Sequence, residues 1–169
     1  MIFMKLRIGP KDLLMIDDAK ICYKNFAGDP TPFNKAGGVR EFHLVIPNDE
    51  IKEILMDNKS RDGASWNVRI KAPREEGDSP FMHMKVNVRF NDYGPKVYLV
   101  TGDRQHRLDE EDVGMLDRMD IASVDMDIRP NDTVVNGVAY RTAYLQSIRV
   151  HQRSDRFEAD MRESEWPEE

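Results

Sequence analysis

The sequence predicts a mainly β domain with one clear helix, built either as a closed barrel or as a sandwich. Several segments alternate apolar and polar side chains with the period of two that half-buried strands show. Turn signals such as the tetrapeptide NDYG and the pair Asn136-Gly137 separate these segments. The length of 169 residues suits one domain, and no apolar run is long enough to span a membrane.

The first predicted strands flank a long loop. Residues 12–23 are rich in aliphatic side chains, and EFHLVIP alternates Phe42, Leu44 and Ile46 with the residues between them. The connection between these strands, residues 24–42, is much longer than a hairpin needs. Because long ordered loops are often functional, we expect this loop to take part in the site.

The helix is predicted for the segment PNDEIKEILMDNK. Asn48 or Asp49 can accept a hydrogen bond from the first turn and so cap the helix. The apolar residues Ile51, Ile54 and Leu55 repeat at helical spacing and form one stripe. We therefore expect one amphipathic helix directly after the second predicted strand.

The strands after the helix alternate strictly. In WNVRIKA, Trp66, Val68 and Ile70 share one face, which places Trp66 in the core. In FMHMKVNVRF, the methionines and valines share a face in the same way. A strand in PKVYLV, a short helix in LDEEDVGMLDRM, a strand in IASVDMDI and a hairpin in VVNGVAYRTAYLQSIRV complete a predicted domain of residues 1–153.

Cations and rings gather on the polar faces of three of these strands. They are Arg69, Lys71, Phe81, Lys85, Arg89, Lys96 and Tyr98. If the strands are adjacent, as in a meander, these side chains form one basic and aromatic face. Single-stranded nucleic acid needs this combination, because cations bind phosphates and flat rings stack on exposed bases. A solvated face of an antiparallel sheet has a similar composition, so both interpretations stay open.

The long loop combines rings with cations. Its cations are Lys24, Lys35 and Arg40. Phe26 and Phe42 lie at its two ends, and we expect them to act as anchors where the strands end and begin. Phe33 lies in the middle of the loop, where it has no sheet to pack on, and is a candidate stacking platform. The alternative is that Phe33 closes the end of a barrel.

The negative charge is concentrated at the carboxyl end. Residues 154–169 hold seven acidic side chains and two arginines, a net charge of −5 out of −6 for the whole chain. This segment has too few apolar residues to fold alone, so we expect a disordered tail. The proposed partner-binding residues are Glu163, Glu165, Trp166, Glu168 and Glu169. The tail suits docking on a basic pocket of a partner or competition with nucleic acid for the basic face; a solubilising terminus is the alternative.

Signals for catalysis are weak. The four histidines are scattered, a single cysteine excludes a cysteine-based zinc pattern, and no catalytic residue, metal ligand or cofactor is predicted. One alternative is a magnesium-dependent nuclease that uses Asp125, Asp127 and the acids of residues 109–112. Another is a virion or assembly protein that binds only protein. Cys22 is expected to be a buried thiol in a reducing cytosol, and no signal-peptide pattern is present.

Several short segments occur in an order that resembles the single-stranded DNA-binding proteins of tailed bacteriophages. These are NF before a polar loop that ends in GGVREF, then WNV, PREEGD, KVNV, DIRP and YLQSI, spread over about residues 20–150. The resemblance implies an OB-like antiparallel β-barrel, no catalytic activity, and a role in phage DNA replication and recombination in the host cytoplasm. It also implies that the acidic tail recruits replication or recombination proteins.

Two features depart from that pattern. The helix follows the second predicted strand, whereas an OB barrel usually places it between the third and fourth, so WNVRIKA is either not the third barrel strand or part of an elaboration. The tail ends in WPEE without a terminal apolar residue, which weighs against docking through the terminal carboxylate. A homodimer is a further candidate arrangement.

The predicted DNA-binding residues combine the loop with the strand faces. They are Lys24, Phe33, Lys35, Arg40, Arg69, Lys71, Phe81, Lys85, Arg89 and Tyr98, with Tyr93 as an additional stacking candidate. We expect single-stranded DNA to bind there with little sequence preference, because a ring can stack on any base.

Overall fold

The structure is a computed structural model that describes residues 4–92 and 94–153. Tyr93 and the predicted tail lie outside the described residues. The elements are β1 (Lys5–Ile8), β2 (Leu14–Ala19), β3 (Ile21–Asn25), β4 (Glu41–Ile46), α1 (Asp49–Asp57), β5 (Val68–Lys71), β6 (Phe81–Asn87), β7 (Lys96–Thr101), β8 (Arg104–Leu108), β9 (Ile121–Val135) and β10 (Val138–Gln152). Two short 3-10 helices span Pro10–Asp12 and Val113–Arg118.

The strands form one curled sheet in the order β1-β2-β9-β10-β6-β4-β3. Only Lys20 separates β2 from β3, so these two strands form one bent segment of chain. Its first half, β2, pairs with β9 near one edge of the sheet, and its second half, β3, pairs with β4 at the other edge. No ladder between described strands closes the sheet, but this segment joins its two ends covalently. The predicted mainly β, OB-like fold is thereby confirmed, with a barrel that is not closed by hydrogen bonds.

The core lies inside the curled sheet. Phe26 and Phe42 are fully buried and stack with their ring centroids 5.2 Å apart, as expected of anchors at the two ends of the loop. Trp66 is 1% exposed, which confirms its predicted place in the core. Burying one such aromatic side chain stabilises a fold by about 1.5–3 kcal/mol. Cys22 is only half-buried, so the expectation of a buried thiol was wrong.

Helix α1 forms where it was predicted. The Oδ1 atom of Asn48 accepts a hydrogen bond from the Ile51 amide at 2.9 Å, and Ile51 and Leu55 are buried. The strand that follows, β5, has four residues, and β6 is its only partner among the described strands. WNVRIKA is therefore not a strand of the main path, and α1 with β5 is an elaboration between β4 and β6.

The predicted meander of three adjacent strands was wrong. β5 pairs with β6, but among the described strands β7 pairs with β10 and β8. Asn87 at the end of β6 lies opposite Tyr144, and residues 96–100 then pair with residues 147–151. The reason is the length of β10, which at 15 residues pairs with β6 and β7 in succession. Lys96 and Tyr98 therefore lie beyond the end of β6 and not beside it.

The hairpin of β9 and β10 turns at Asn136-Gly137, as predicted. Both residues have positive φ, 51° and 79°, which a two-residue type I′ turn requires. The two strands pair over their whole length of 15 residues each. In the described part of the chain, no helix has the length and apolar character needed to cross a bilayer.

A buried arginine holds the outer half of this hairpin. Arg141 is 4% exposed, and its guanidinium donates to both carboxylate oxygens of Asp132, at 2.8 and 3.0 Å. It also donates to Asp12 at 2.9 Å and to Oδ1 of Asn58 at 2.8 Å, and it lies 5.3 Å from the centre of the Trp66 ring. Because a buried charge without partners is costly, this cluster fixes the hairpin against the end of α1.

Candidate nucleic-acid interface

An open groove of about 980 Å³ lies on the outer face of β3, β4, β5 and β6. Side chains alternate along each strand, so the residues between the core residues face the groove. The floor is formed by Tyr23, Glu41, His43, Arg69, Lys71, His83 and Lys85. Residues 31–34 of the long loop form one wall. We call this site the main groove.

Three cations on the floor are available to a ligand. Arg69 and Lys71 are exposed and Lys85 is half-buried. Within residues 4–92 and 94–153, none of the three makes an ion pair or a side-chain hydrogen bond. They lie on adjacent strands, because Arg69 and Lys71 of β5 pair with β6, which carries Lys85. This spacing places three positive charges along one surface, which suits a run of phosphates.

Rings cluster beside these cations. The Tyr23 ring meets His43 at 5.2 Å, His83 at 5.6 Å and Phe81 at 6.4 Å between centroids, each in an edge-to-face arrangement. Phe81 in turn stacks on His83 at 5.2 Å. Tyr23 is 57% exposed, so a large part of its ring is accessible to a ligand.

A backbone irregularity places Tyr23 in the groove. The pairing of β3 with β4 shifts register between Cys22 and Asn25, and Tyr23 has a positive φ of 50°. Such bulges change the direction of a side chain and occur often next to functional sites. The alternation in the sequence does not show the bulge, which explains why Tyr23 was not predicted as a site residue.

Two histidines share a hydrogen bond under the rings. The Nδ1 atoms of His43 and His83 are 2.8 Å apart, so one nitrogen carries the proton and the other accepts it. Burial lowers the pKa of His43, and the nearby His83, Arg69 and Lys85 lower it further, whereas Glu41 raises it. Burial also lowers the pKa of His83, with help from Arg69 and Lys71. Both imidazoles are therefore neutral at neutral pH.

Phe33 lies at the tip of the loop. Thr31 and Asn34 pair across a tight turn, and the Asn34 amide also donates to Oγ1 of Thr31 at 3.0 Å. This turn presents the Phe33 side chain with full exposure, while the residue lines the main groove. Because the ring is fully exposed, it is accessible to a ligand in the groove.

The base of the loop is held rigidly to the 3-10 helix Val113–Arg118. The Asp117 carboxylate accepts hydrogen bonds from the amides of Phe26 at 2.7 Å and Ala27 at 3.0 Å. Lys24 Nζ donates to the carbonyls of Leu116 at 3.0 Å and Met119 at 2.8 Å, and burial lowers its pKa.

Arg40 has a similar structural role on the other side of the loop. It donates to the carbonyls of Phe26 at 3.1 Å and Glu110 at 2.9 Å. Its guanidinium also lies 5.2 Å from the centre of the Phe90 ring. Lys24 and Arg40, both predicted as DNA contacts, are thus engaged by the protein itself.

The structure brings together only part of the predicted set. Phe33, Arg69, Lys71 and Lys85 line the main groove, and Phe81 borders it through its contact with His83. The others are placed elsewhere: Lys35 is exposed on the loop outside the groove lining, Arg89 is exposed beyond the end of β6, and Tyr98 lies on β7 under the Arg107 guanidinium at 5.9 Å. His43 and His83 were missed as site residues, although alternation put His83 on the polar face.

Two of the acids in the nuclease alternative, Asp125 and Asp109, have separate structural roles. Asp125 lies 2.8 Å from Nε2 of His151 and accepts a hydrogen bond from the Asp18 amide at 3.0 Å. Asp109 accepts from the amides of Glu111 and Asp112 and so stabilises a turn. In the described ranges, no three histidine, cysteine or acidic side chains are grouped as a metal site requires.

Known proteins provide an independent comparison. A sequence family described as "Putative phage ssDNA-binding domain" matches residues 5–168. The fold is similar to that of the single-stranded DNA-binding protein from bacteriophage Enc34 in complex with ssDNA, with a TM-score of 0.53, 14% identity, and coverage of 89% of this chain and 92% of that one. A C-terminal truncation of the Enc34 protein gives a TM-score of 0.51 at 15% identity, with coverage of 89% and 91%. No curated protein matches the chain.

The family match spans nearly the whole chain, and the structural matches show the same fold at low identity. The resemblance read from short segments of the sequence is thereby confirmed. The chain belongs to this family of phage ssDNA-binding domains.

Proposed function

We propose that this chain binds single-stranded DNA in the main groove, with little preference for sequence. The observation that carries the proposal is the arrangement of three cations, without ion-pair partners among the described residues, beside the accessible rings of Tyr23 and Phe33. Membership of a phage ssDNA-binding family supports it.

Phosphates and bases have separate binding partners in this proposal. Arg69, Lys71 and Lys85 neutralise phosphates on the groove floor, and the affinity therefore falls as salt increases. Phe33 stacks on a base from the wall, and Tyr23 and Phe81 receive bases on the floor. Each stacked base contributes about 1–3 kcal/mol, and the contribution is similar for all bases because each has a flat face.

The binding is non-catalytic and serves phage DNA replication and recombination. A protein that covers single strands for other enzymes needs affinity without base selection, and the groove offers charge and stacking in place of base-specific hydrogen bonding. The acidic tail, residues 154–169, recruits replication or recombination proteins or competes with DNA for the groove. The net charge of −5 in this segment supports both roles.

Fluorescence anisotropy with a labelled oligothymidine tests the proposal. Binding is expected at low salt and should weaken steeply as salt is raised, with a slope set by the number of phosphates neutralised. The titration is run with and without magnesium, and the DNA is then examined on a gel. Shortened products would support the nuclease alternative, and absence of any binding would support the virion or assembly alternative.

Deletion of residues 154–169 tests self-competition separately. Removing a net charge of −5 should leave the thermal unfolding midpoint unchanged and strengthen oligothymidine binding, most clearly at low salt. The matched control keeps the tail length but replaces its seven acids with glutamine or asparagine. Equal or weaker binding by both variants would exclude competition by the tail.

A further inference from the structure

We propose that the bound strand continues beyond the main groove onto the outer face of β10, where Tyr144, Arg129 and Lys96 form a second contact region. We call these three residues the β10 subsite. This inference rests on the proposed function and adds to it a second part of the path along which the strand is bound.

A second groove connects the two regions. It has a volume of about 690 Å³ and lies where β5 and β10 meet on the same side of β6. Arg69 and Lys85 line both this groove and the main groove. The backbone of a DNA strand can therefore pass from one groove into the other while its phosphates stay close to these two cations.

The outer face of β10 supplies rings along this continuation. Tyr140, Thr142 and Tyr144 alternate with the more buried residues between them and line the second groove. Tyr140 is 49% exposed. Arg129 lies opposite Tyr144 in the β9–β10 ladder, with its guanidinium 5.4 Å from the ring centre. An arginine beside a ring suits nucleic acid, because the ring can stack on a base while the cation attracts a phosphate.

Past Tyr144 the surface remains cationic. A third cavity, of about 510 Å³, is lined by Lys96, Arg129, Gln146 and Ser147. Lys96 is exposed, and neither cation makes an ion pair in the described ranges. Lys96 reaches this position because β7 pairs with β10 directly after β6 does, with Lys96 opposite Ser147.

Charges of both signs follow the subsite on this face. Asp127 lies opposite Ser147 and accepts a hydrogen bond from its Oγ at 3.4 Å, and Asp125 lies opposite the exposed Arg149. The proposed path therefore runs from Phe33 to Lys96, where the two cations of the β10 subsite have no carboxylate directly opposite them in the ladders.

Length-dependent binding separates this inference from the proposed function. Labelled oligothymidines of about 4 and about 16 nucleotides, the range of site sizes for one OB fold, are titrated against wild type and a Lys96→Ala/Arg129→Gln variant. We expect unchanged affinity for the short oligomer and a loss of about tenfold for the long one. The salt slope for the long oligomer should fall by about 1.4, since each phosphate contact on a single strand contributes about 0.7.

The matched control is Arg104→Ala/Arg107→Ala on β8, which also removes two cations, including the one over the Tyr98 ring. It should leave both affinities unchanged. If Lys96→Ala/Arg129→Gln matches wild type on the long oligomer, or weakens both oligomers equally, the β10 subsite is excluded while the main groove stands. Failure of wild type to bind either oligomer would overturn the proposed function and the subsite with it.

The Lys96→Ala single variant controls for a loss of folding in the double variant, because Lys96 is exposed and its substitution leaves packing intact. It should retain the wild-type unfolding midpoint and lose part of the affinity for the long oligomer only. A normal midpoint with unchanged long-oligomer affinity would also count against the subsite.

Discussion

The base of the loop and the floor of the main groove both carry cations, yet the protein uses them differently. At the loop base, Lys24 donates to two backbone carbonyls and Arg40 to two others. On the floor, Arg69, Lys71 and Lys85 have no such partners among the described residues. A donor already bound to a carbonyl must give up that bond before it can bind a phosphate. Hydrogen-bond partners, and not residue type, therefore distinguish cations that hold the fold from cations that are free to bind a ligand.

Replacing all three floor cations should have the largest effect. The triple variant Arg69→Ala/Lys71→Ala/Lys85→Ala is expected to lose at least about 100-fold in affinity for oligothymidine, because three charged contacts disappear. Its salt slope should fall by about 2. Anisotropy titrations over a salt series measure both quantities. The control triple Lys59→Ala/Arg104→Ala/Arg107→Ala removes the same charge elsewhere, and an equal loss in that control would show that only net charge matters.

Phe33→Ala tests the wall of the groove. We expect a loss of about tenfold in affinity, within the 1–3 kcal/mol that a stacked base contributes. Because the ring is fully exposed, the unfolding midpoint should not change. Phe33→Trp is the informative companion and should retain or raise affinity. If Phe33→Ala binds as wild type does, the groove floor alone carries the binding.

Lys24→Met tests whether a cation at the base of the loop stabilises the fold and does not bind DNA. The variant keeps the length of the side chain but leaves two carbonyls without their donor, so the free energy of unfolding should fall by about 1–3 kcal/mol. Urea denaturation measures this loss. The salt slope of DNA binding should stay at its wild-type value, since Lys24 Nζ already donates to the carbonyls of Leu116 and Met119. A reduced slope with unchanged stability would make Lys24 a phosphate ligand and remove the distinction.

The histidine pair gives the smallest expected effect. Unfolded histidines titrate near pH 6.5, whereas burial and neighbouring cations lower the pKa of His43 and His83 in the folded protein. Below about pH 6.5 the unfolded state binds protons that the folded state does not, so stability decreases as pH falls. Unfolding midpoints at about pH 7.5 and about pH 5.5 should differ more in wild type than in His43→Gln/His83→Gln. An equal shift in both proteins would assign the effect to other groups.

Elements that depend on neighbouring residues were predicted well. The cap at Asn48, the helix that follows it and the Asn136-Gly137 turn all arise from local preferences. Alternation also gave the correct face for Trp66, and it identified Arg69, Lys71 and Lys85 as a group. These features follow from backbone geometry and side-chain period, which a few consecutive residues specify.

Features that depend on distant residues were not predictable in the same way. The meander failed because β10 pairs with β6 and then with β7, a choice made by long-range pairing. The role of Lys24 depends on carbonyls more than 90 residues away, and one of the ion pairs of Arg141 spans 129 positions. Tyr23 enters the groove through a bulge that alternation cannot show.

Local sequence patterns in this chain were thus sufficient to predict a mainly β domain, a capped helix, a tight hairpin, and cations and rings on the polar faces of strands. Only the folded arrangement selected which of them meet in one groove. The physical reason is that a side chain's period along a strand is local, whereas its hydrogen-bond partners come from wherever the sheet places them. The loop sequence made Phe33 a candidate stacking ring and left open that it closes a barrel end. Its full exposure, and its place in the same groove as Arg69 and Lys85, follow from the tertiary structure.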